Sequence, residues 1–452
     1  MVLDIRLFRI EKGGNPDLIK YSQRGRFKDV GQVDEVIELD NKTKEANYQL
    51  SQLNAEFKKH NKEVSLKIKS GESVDNLKKQ SELMRGDIQK LEKQVEELEK
   101  QLQCLLKQIG NILHASVPCC QNENDNIHIR AWGECKTSPD LLQHNVLLDL
   151  IDGYEGEKGA VTTGTRGYFL KGIGVLLNQA IINFAMAHLH KRDYVPLQTP
   201  FFMRKDVMSE TVQADQFTEQ LYKISGHTDQ VSEDTVEKYL IGTSEQPLSA
   251  YHRGEWLDEK ELPKKYLGYS TCFRKESKDM SKDCVGIFRV HQFEKIEQFC
   301  LTEPEKSWDM HEEMLKNAEA FYQDLGIPYQ IVSVVSGALN NATSKKYDLE
   351  GWFPGSGNYR ELVSCSNCTD YQSRELEIRC GSKKPNQTAK KYVHMLNCTL
   401  AATSRVICCI LENYQTEGGI NVPKALIPYL GMDFIPFVKP IPDQKKKISL
   451  NK

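Results

Sequence analysis

The spacing of apolar positions divides the chain into two parts with different periods. Between residues 33 and 109, apolar or small side chains recur every three or four residues, in two runs separated by a polar segment at 70–73. A seven-residue repeat of this kind predicts amphipathic helices that bury their seams against a partner. After residue 120 the chain alternates short strand-like runs with helical ones, which indicates a mixed α/β domain. The chain is therefore predicted to divide near residue 120.

The two helical runs are predicted to pack against each other. The Ser-Gly-Glu-Ser segment at 70–73 supplies a reversal, so the simplest arrangement is an antiparallel hairpin. At about 1.5 Å per residue, roughly 36 residues would extend on the order of 54 Å. His60 interrupts the first seam, which comprises Val33, Val36, Leu39, Thr43, Ala46, Leu50, Leu53, Phe57 and Val64. The second seam comprises Leu77, Met84, Ile88, Leu91, Val95, Leu98, Leu102, Leu105 and Ile109.

The presumed tip of this hairpin is basic. Residues 57–85 hold eight basic and four acidic side chains, although the whole chain has a net charge of -3. A coiled coil alone is more often a spacer or an oligomerisation rod, with its lysines solvated. The local positive charge favours contact with a phosphate backbone instead. The candidate RNA-binding residues are Lys58, Lys59, Lys62, Lys78, Lys79 and Arg85.

Residues 273–299 alternate like two strands around a charged loop. In the second strand, Phe288, Val290 and Ile296 are predicted to face one side, and Arg289, His291, Phe293, Lys295 and Glu297 the other. Arg274 and Glu276 would share a face of the first strand. An arginine can hold phosphate oxygens bidentately and a carboxylate can accept from an adenine amino group, while Phe293 offers a stacking surface. A surface hairpin laced with salt bridges is the alternative, since an arginine and a glutamate on one face often neutralise each other.

Four segments together resemble the signature motifs of one enzyme family. FRKE at 273–276 and RVHQFEKIEQF at 289–299 resemble motif 2 of class II aminoacyl-tRNA synthetases. TSEQP at 243–247 resembles the serine-binding loop of the seryl-tRNA synthetases, and ELVSCSNCTDYQSR at 361–374 resembles their ATP-side strand. The segment at 397–415 resembles motif 3, with Arg405 as its arginine. The opening MVLDIRLFR and the helical arm are similar to the eukaryotic cytosolic form.

This resemblance implies an α+β fold, with an antiparallel sheet flanked by helices and preceded by a long antiparallel coiled-coil arm. The implied domains are a tRNA-binding domain at 1–120, a catalytic domain at 121–440 and a flexible basic tail at 441–452. Residues 193–200 resemble motif 1, which forms the dimer interface in class II enzymes and so implies a homodimer; an ordinary helix–strand connection is the alternative. The chain contains neither GxGxxG nor GxxxxGKS, in agreement with a fold outside the parallel nucleotide-binding classes.

The resemblance also implies a reaction. Serine is activated with ATP to seryl-adenylate and transferred to tRNA(Ser), and also to tRNA(Sec), in cytosolic translation. The arm would read the long variable arm and elbow of the tRNA and leave the anticodon alone. Such an enzyme acts by positioning and charge stabilisation, without a protein nucleophile.

The resemblance assigns roles to individual residues. Arg274, Glu276 and Arg405 would be catalytic, and Glu361 and Ser364 would support a magnesium ion. The implied serine-binding residues are Thr243, Glu245, Arg274, Glu297, Asn397 and Thr399. The implied ATP-binding residues are Arg274, Lys275, Glu276, Val290, His291, Gln292, Phe293, Glu361, Leu362, Val363, Ser364 and Arg405. Arg405 in a structural ion pair, and His291 bonded to a strand neighbour, are the alternatives for those two residues.

The composition of the chain limits which ligands it can bind and in which compartment it can lie. A net charge of -3 excludes a uniformly basic nucleic-acid binder, so any RNA contact must be local. The chain holds thirteen cysteines, an odd number that fits a reducing compartment better than a disulfide framework. Its one CxxC, Cys365 to Cys368, has no second pair nearby, so no structural zinc is expected. No apolar run is expected to span a membrane, and the protein is predicted to be soluble and cytoplasmic.

Two departures from the family pattern stand out. The motif 2 loop at 277–285 lacks the usual glycines and keeps only the Lys282-Asp283 pair, and motif 3 has Thr399 and Leu400 where many relatives have a glycine.

Two other functions are alternatives to the synthetase. A relative that delivers serine to a carrier protein would have no use for the arm. A catalytically inactive RNA-binding or scaffold protein would be expected to lose Arg274, Glu276 or Arg405, and all three are present.

Overall fold

The computed structural model describes residues 2–213, 220–225, 237–276, 285–381 and 391–441. The chain forms two compact units that divide between Ile112 and Leu113, where the sequence analysis placed the boundary near residue 120. The Lys282-Asp283 pair and nearly all of the predicted tail at 441–452 lie outside the described residues.

The described residues form helices and strands that are numbered in chain order. The helices are α1 (Pro16–Gly25), α2 (Gly31–Lys69), α3 (Asp75–Leu106), α4 (His144–Leu150), α5 (Gly156–Thr163), α6 (Ile173–His190), α7 (Lys205–Thr211), α8 (Glu245–Ser249), α9 (Ser307–Asp324), α10 (Tyr371–Glu375), α11 (Thr403–Tyr414) and α12 (Ile427–Leu430). The strands are β1 (Ile127–Trp132), β2 (Tyr154–Glu155), β3 (Phe169–Leu170), β4 (Val195–Gln198), β5 (Phe202–Arg204), β6 (Lys223–Ile224), β7 (Lys238–Leu240), β8 (Trp256–Leu257), β9 (Lys264–Phe273), β10 (Gln292–Thr302), β11 (Tyr329–Ser333), β12 (Lys345–Phe353), β13 (Asn358–Asn367), β14 (Arg379–Cys380), β15 (Lys391–Tyr392), β16 (His394–Ala402), β17 (Gly419–Asn421) and β18 (Phe434–Pro436).

The first unit is the predicted helical hairpin. Helices α2 and α3 pack along their length, and every predicted seam residue is buried or half-buried. Contacts at both ends show that the helices are antiparallel: Gln32 Nε2 donates to Gln108 Oε1 at 3.0 Å, and a ring nitrogen of His60 lies 3.0 Å from the Leu77 carbonyl. The reversal uses Gly71 at φ 77°, in the left-handed region that glycine enters without a steric penalty.

A buried carboxylate near the base of α2 was not predicted. Asp40 is 3% exposed, and its oxygens accept from Arg9 Nη2 at 2.6 Å and Arg9 Nε at 2.8 Å. Lys44 lies 2.7 Å from the same carboxylate. Burial would raise the pKa of Asp40, but hydrogen bonds from Arg9 and Lys44 hold it below the ordinary carboxyl value. This cluster fastens the N-terminal segment to the hairpin.

We expect Asp40→Asn to destabilise this unit by about 1.5–3 kcal/mol, the usual contribution of hydrogen bonds to a charged group. Because the folded pKa is depressed, the stabilisation is fully present above the ordinary carboxyl pKa and is lost as pH falls through the folded value. Urea unfolding followed by far-UV circular dichroism measures both effects. Asp87→Asn, at an exposed position 3.5 Å from Lys90, is the matched control and should change little. Equal stabilities for Asp40→Asn and the parent near neutral pH would contradict this role.

The second unit is built on an eight-stranded sheet in the order β1-β11-β12-β13-β16-β10-β9-β4. Neighbouring strands are antiparallel except β4 and β9, so the predicted antiparallel sheet is confirmed with one parallel pair at its edge. Helices α6, α9 and α11 pack against the sheet. Ile296 of β10 points into the core beside these helices, whereas its neighbours Lys295 and Glu297 line a cleft. The helices therefore cover one face and leave the other for a site.

The two strands of motif 2 are shorter than predicted. Strand β9 ends at Phe273 and β10 begins at Gln292, so Arg274, Glu276 and the 288–291 segment lie in the connection rather than in strands. The backbone of Glu276 has a left-handed φ of 47°, so a regular extended strand cannot continue through this residue. The predicted two-faced alternation fails there as a result, since Phe288 and Val290 line the cleft together with Arg289.

Helix α6 is the most apolar of the long helices that the structure describes. In the part of the chain that the structure describes, it is the one helix whose length and hydropathy would suffice to cross a membrane. Half of it is buried, with Leu177, Ile181 and Leu189 fully inside the protein core. Burial of this kind accounts for its apolar character without a bilayer.

Candidate functional site

A cleft of about 260 Å³ opens on the sheet face opposite the helices. It brings together most of the residues that the family resemblance singled out. Thirteen of them line it: Thr243, Glu245, Arg274, Glu276, Val290, Phe293, Glu297, Glu361, Leu362, Ser364, Asn397, Thr399 and Arg405. These residues come from four separate stretches of sequence.

One end of the cleft is a small, ionic pocket. Glu297 is 1% exposed and forms an ion pair with Lys295, two residues earlier on β10. Thr399 on the adjacent strand β16 places its hydroxyl 3.5 Å from both carboxylate oxygens of Glu297. A buried charge needs partners of this kind to offset its desolvation. The pocket therefore presents a lysine-paired carboxyl group and a hydroxyl to a small polar ligand.

A second carboxylate, Glu245, lies at the same end. It begins helix α8, and its backbone N–H donates to Thr243 Oγ1 at 3.3 Å, while Gln372 Nε2 donates to Glu245 Oε1 at 3.1 Å. Burial, reinforced by the charge of Glu297, raises the pKa of Glu245. Gly268 of β9 pairs in register with Glu297 and lets this loop pack closely, since a Cβ there would come within 2.7 Å of the Ser244 hydroxyl.

Arg274 lies close enough to both parts of the cleft for its charge to act on Glu245 in this pocket and on Glu361 beside Arg405. Its Nε donates to the Gly242 carbonyl at 3.2 Å, and its guanidinium lies 5.4 Å from the centre of the Phe293 ring. The backbone is fixed as well, because Arg274 N–H donates to the His291 carbonyl and a ring nitrogen of His291 lies 2.9 Å from the Arg274 carbonyl. The His291 ring thus bonds the backbone opposite it in the motif 2 connection.

Glu276 pairs with other arginines rather than neutralising Arg274. Its carboxylate accepts from Arg289 Nε at 2.6 Å and lies 3.8 Å from Arg166 Nη1. Arg166 belongs to the loop between α5 and β3, far away in sequence. The sequence analysis missed Arg166, because only the three-dimensional packing brings that loop to motif 2.

The other end of the cleft is organised around Arg405 of helix α11. Its Nη1 donates to the Glu361 carbonyl at 3.0 Å and lies 3.4 Å from the Glu361 carboxylate. The guanidinium also lies 4.9 Å from the centre of the Phe288 ring, a cation–π contact. Partial desolvation in the cleft would raise the pKa of Glu361, but the charges of Arg405, Lys346 and Arg274 hold it below the ordinary value. Glu361 is therefore an ionised carboxylate at neutral pH.

Glu361 and Ser364 fit a hard cation in their chemistry. Three residues apart, they would face opposite sides of a regular strand, but the pairing of β12 with β13 shifts at Leu362 and both line the cleft. Their oxygens are the ligand type that Mg²⁺ prefers, and 44% of the Glu361 side chain is accessible. The described residues contain no group of three or more His, Cys, Asp or Glu side chains placed to hold a metal, so phosphates and water would supply the remaining ligands.

Four predicted ATP-side residues lie outside the cleft lining. His291 and Gln292 line a flanking cavity of about 460 Å³, defined with Tyr168, Phe169 and Tyr222. Val363 is fully buried in the core. Lys275 contributes its backbone N–H to the Gln220 carbonyl at 3.0 Å. Their assignment to ATP stays a prediction.

The cleft also contains polar residues that the sequence analysis did not select. Lys346 of β12 is paired with Asp348 at 3.0 Å, and Lys295 neutralises Glu297. Asn340 and Ser404 line the cleft too. The signal available in the sequence was the spacing of each lysine two residues before a carboxylate, which places both on one strand face.

The CxxC pair lies inside the protein core. Cys365 and Cys368 are both buried, and Cys365 is in register with Cys398 on β16. Asn397 Nδ2 lies 3.8 Å from Cys368 Sγ. These cysteines pack behind the cleft as small side chains.

In the first unit, all six candidate RNA-binding residues of the hairpin tip are exposed: Lys58, Lys59, Lys62, Lys78, Lys79 and Arg85. Their charges are therefore available to a ligand.

Comparison with known proteins gives a consistent assignment for both units. Residues 2–113 match the family of the seryl-tRNA synthetase N-terminal domain, and residues 222–414 match the class II tRNA synthetase core domain (G, H, P, S and T). The cytoplasmic serine–tRNA ligase of Dictyostelium discoideum is 65% identical over 98% of this chain and 97% of its own length.

Two solved structures cover 97% of this chain and all of their own chains. The cytoplasmic serine–tRNA ligase of Naegleria fowleri in complex with AMP is 47% identical with a TM-score of 0.86. The seryl-tRNA synthetase of Pyrococcus horikoshii complexed with ATP is 38% identical with a TM-score of 0.88. With matches to both domain families and to full-length relatives, the chain belongs to the class II seryl-tRNA synthetases.

Proposed function

We propose that the chain is a cytoplasmic serine–tRNA ligase that forms seryl-adenylate in the cleft and transfers the seryl group to tRNA(Ser). The observation that supports this proposal most strongly is one continuous cleft whose two ends have different chemistry. Glu245, Glu297 and Thr399 form a pocket suited to a small zwitterion with a hydroxyl, and the charge of Arg274 acts both there and at the arginine-rich end that suits a triphosphate. An inactive scaffold would have no reason to keep both ends intact.

The first step is attack of the serine carboxylate on the α-phosphate of ATP. A carboxylate–phosphorus bond forms, the bond to the leaving pyrophosphate breaks, and negative charge accumulates between the two ends of the cleft. Arg274 is held at that point by Gly242 and Phe293, so its charge is in place before the reaction begins. Preorganised cations of this kind stabilise a developing charge without further rearrangement.

The far end of the cleft binds the rest of the nucleotide. Phe293 offers its ring for stacking, and Arg405 and Lys346 supply positive charge for the outer phosphates. A magnesium ion would be held by Glu361 and Ser364, where it would neutralise phosphate oxygens and favour departure of pyrophosphate.

The second step uses tRNA, and the first unit is proposed to select it. The exposed lysines at the hairpin tip would contact the phosphate backbone of tRNA(Ser), with tRNA(Sec) as a second substrate through the same features. Delivery of serine to a carrier protein is disfavoured, because the matched N-terminal domain and its basic tip would then have no ligand.

The enzyme is proposed to act as a homodimer through the surface around β4. Strand β4 is an edge of the sheet, helix α6 contacts it, and both elements carry exposed apolar side chains. They are Val175, Leu176 and Val195. An exposed apolar patch beside an unpaired strand edge is typical of an interface.

We expect Leu176→Glu to convert the dimer to monomer, because a buried unpaired charge disfavours an interface. Sedimentation equilibrium measures the change directly. Leu66→Glu is the matched control, since Leu66 is equally apolar and 67% exposed but lies on the hairpin. A Leu176→Glu protein that stays dimeric at micromolar concentration would place the interface elsewhere.

We expect Glu297→Gln and Thr399→Ala to weaken the use of serine far more than the binding of ATP. A hydrogen bond to a charged group contributes about 1.5–3 kcal/mol, so kcat/KM for serine should fall on the order of 10- to 100-fold. ATP–pyrophosphate exchange at varied serine and varied ATP separates the two substrates. If KM for ATP rose as much as KM for serine in both variants, these positions would not form a dedicated serine pocket.

A further inference from the structure

His144, the first residue of helix α4, is buried between two of the motifs that form the cleft. Its ring nitrogen Nδ1 lies 2.8 Å from Glu412 Oε1, and Nε2 lies 3.3 Å from the carbonyl oxygen of Val285. Glu412 belongs to α11, the helix of motif 3, and Val285 is the last residue of the motif 2 loop. Both oxygens are acceptors, so the imidazolium form of His144 donates to both at once. One side chain therefore joins motif 3 to the end of the motif 2 loop.

The Glu412 side of this link is a fixed anchor. Glu412 is 1% exposed and lies on the same helix as Arg405. Its Oε1 also accepts from the backbone N–H of His144 at 2.9 Å, and its Oε2 accepts from the Gly355 N–H at 2.8 Å. These two backbone donors remain when the imidazole is replaced. The buried carboxylate then keeps hydrogen-bond partners, so variants of His144 are expected to fold.

On the other side of the link, the backbone that follows the motif 2 loop passes close to His144. Gly286 has a φ of 70°, and a Cβ there would lie 3.3 Å from His144 Cδ2 and 3.2 Å from Asn145 Cβ. Glycine adopts this conformation without a steric penalty and leaves room for the imidazole. The segment after the loop therefore packs directly against His144.

Phe288 connects this packing to the cleft. Its ring centre lies 5.9 Å from that of His144, and the same ring lines the cleft. The Arg405 guanidinium lies 4.9 Å from the centre of the Phe288 ring, and that of Arg360 lies 5.0 Å from it. A displacement of the 285–288 segment would therefore move the aromatic ring against which Arg405 packs.

We propose that His144 is a positioning residue for ATP: by holding Val285 against Glu412, it keeps Phe288, and with it Arg405, in place for the outer phosphates. This inference rests on the proposed function, which assigns that part of the cleft to ATP. His144 itself does not line the cleft, so it acts on ATP without contacting it. The serine pocket is formed by other residues and should not depend on His144.

Two conservative variants separate the two halves of the link. The amide nitrogen of asparagine takes the place of Nδ1 and can still donate to Glu412, whereas that of glutamine takes the place of Nε2 and can still donate to Val285. Calorimetric titration gives the Kd for ATP of His144→Asn and His144→Gln. ATP–pyrophosphate exchange gives KM for ATP and KM for serine on the same proteins.

His252 is the matched control. It is also buried, and its ring nitrogens lie 2.7 Å from Glu255 Oε2 and 2.6 Å from the Tyr266 hydroxyl oxygen. It does not line the cleft or contact either motif 2 or motif 3 through these bonds. Its replacement by asparagine or glutamine should therefore leave both KM values unchanged.

His144→Asn is expected to raise the Kd and KM for ATP about 10-fold and to leave KM for serine unchanged, because one hydrogen bond that positions the ATP end is lost. His144→Gln should restore most of the affinity for ATP. Binding of ATP by His144→Asn as tight as that by His144→Gln, or tighter, would overturn the proposal. Equal rises in both KM values, or a lower Tm with both KM values unchanged, would also overturn it and make His144 a residue that only stabilises the fold.

Gly286→Ala tests the same link from the loop, should the His144 variants fold poorly. The added Cβ would push the 285–288 segment away from His144, so this variant should also raise the Kd for ATP and spare KM for serine. An unchanged Kd for ATP in Gly286→Ala would contradict the proposal. Absence of serine-dependent exchange in the intact enzyme would instead refute the proposed function, whereas the ATP titration tests the role of His144 separately.

Discussion

Arg274→Ala is expected to reduce serine-dependent ATP–pyrophosphate exchange by about 100- to 1,000-fold, the usual effect of removing one preorganised donor from a reacting centre. The charge of the guanidinium acts on both the serine pocket and the arginine-rich end, and Gly242 and Phe293 hold it in place. Arg274→Lys keeps the charge but loses the planar fork, so its activity should be intermediate. The measurement is kcat/KM for exchange at saturating ATP.

Arg253→Ala is the matched control for this experiment. Arg253 is a partly exposed arginine that pairs with Glu210 at 2.6 Å and does not line the cleft. Its removal should leave exchange within about threefold of the parent, a change well below 1.4 kcal/mol. Exchange in Arg274→Ala at that same level would show that Arg274 does not stabilise the reacting charge.

Reversing the charge of the hairpin tip is expected to abolish most tRNA serylation and spare adenylate formation. Lys58, Lys59, Lys78 and Lys79 are exposed beside the apolar seams, so their replacement by glutamate leaves the helical packing intact. Phosphate binding by lysines gives RNA affinity a steep dependence on salt, and the slope falls by about one for each lysine–phosphate pair that is removed. The variant should therefore bind tRNA(Ser) weakly and with a flatter salt dependence.

The control reverses four exposed lysines elsewhere on the same helices, namely Lys42, Lys90, Lys93 and Lys100. It changes the net charge by the same amount, so it separates the position of the charge from its total. Serylation and exchange are measured in parallel on both proteins. Normal serylation by the tip variant, or an unchanged salt slope, would make the hairpin a structural spacer.

The hairpin could be predicted from the sequence because its stability is local. A seven-residue seam specifies both the helices and the face that they bury, and the reversal is encoded by Gly71 and its polar neighbours. The anchoring of Asp40 by Arg9 could not be predicted in this way. It depends on the short N-terminal segment packing back on α2, 31 residues further along the chain.

The sequence predicted which residues line the cleft, but not how their side chains are arranged in it. The motif residues identify which side chains belong together, yet two strand irregularities decide how they face. The shift at Leu362 brings Glu361 and Ser364 to one side, and a second shift at Leu400 keeps Thr399 opposite Glu297. That second shift falls where the family's usual glycine is replaced by Thr399 and Leu400. Irregularities of this kind arise from pairing between strands that are distant in sequence. The alternation of side chains along a single strand therefore does not predict them.

The left-handed backbone of Glu276 could not be predicted from the sequence either, because residues other than glycine seldom adopt it. Lys346 and Asn340 were missed for a related reason. They reach the cleft from the β11–β12 region, more than sixty residues after Arg274 in the chain, and they lie outside the motifs that the sequence analysis identified.

We propose that one cleft selects serine and that the same protein transfers it to tRNA. The most direct measurement is ATP–pyrophosphate exchange with each of the twenty amino acids, followed by charging of purified tRNA(Ser). A pocket that hydrogen-bonds a hydroxyl should prefer serine over alanine and glycine by about 10⁴-fold. We expect rapid exchange with serine alone and a seryl ester on the tRNA. Comparable exchange with another amino acid, or serine-dependent exchange without any charging of tRNA, would contradict it.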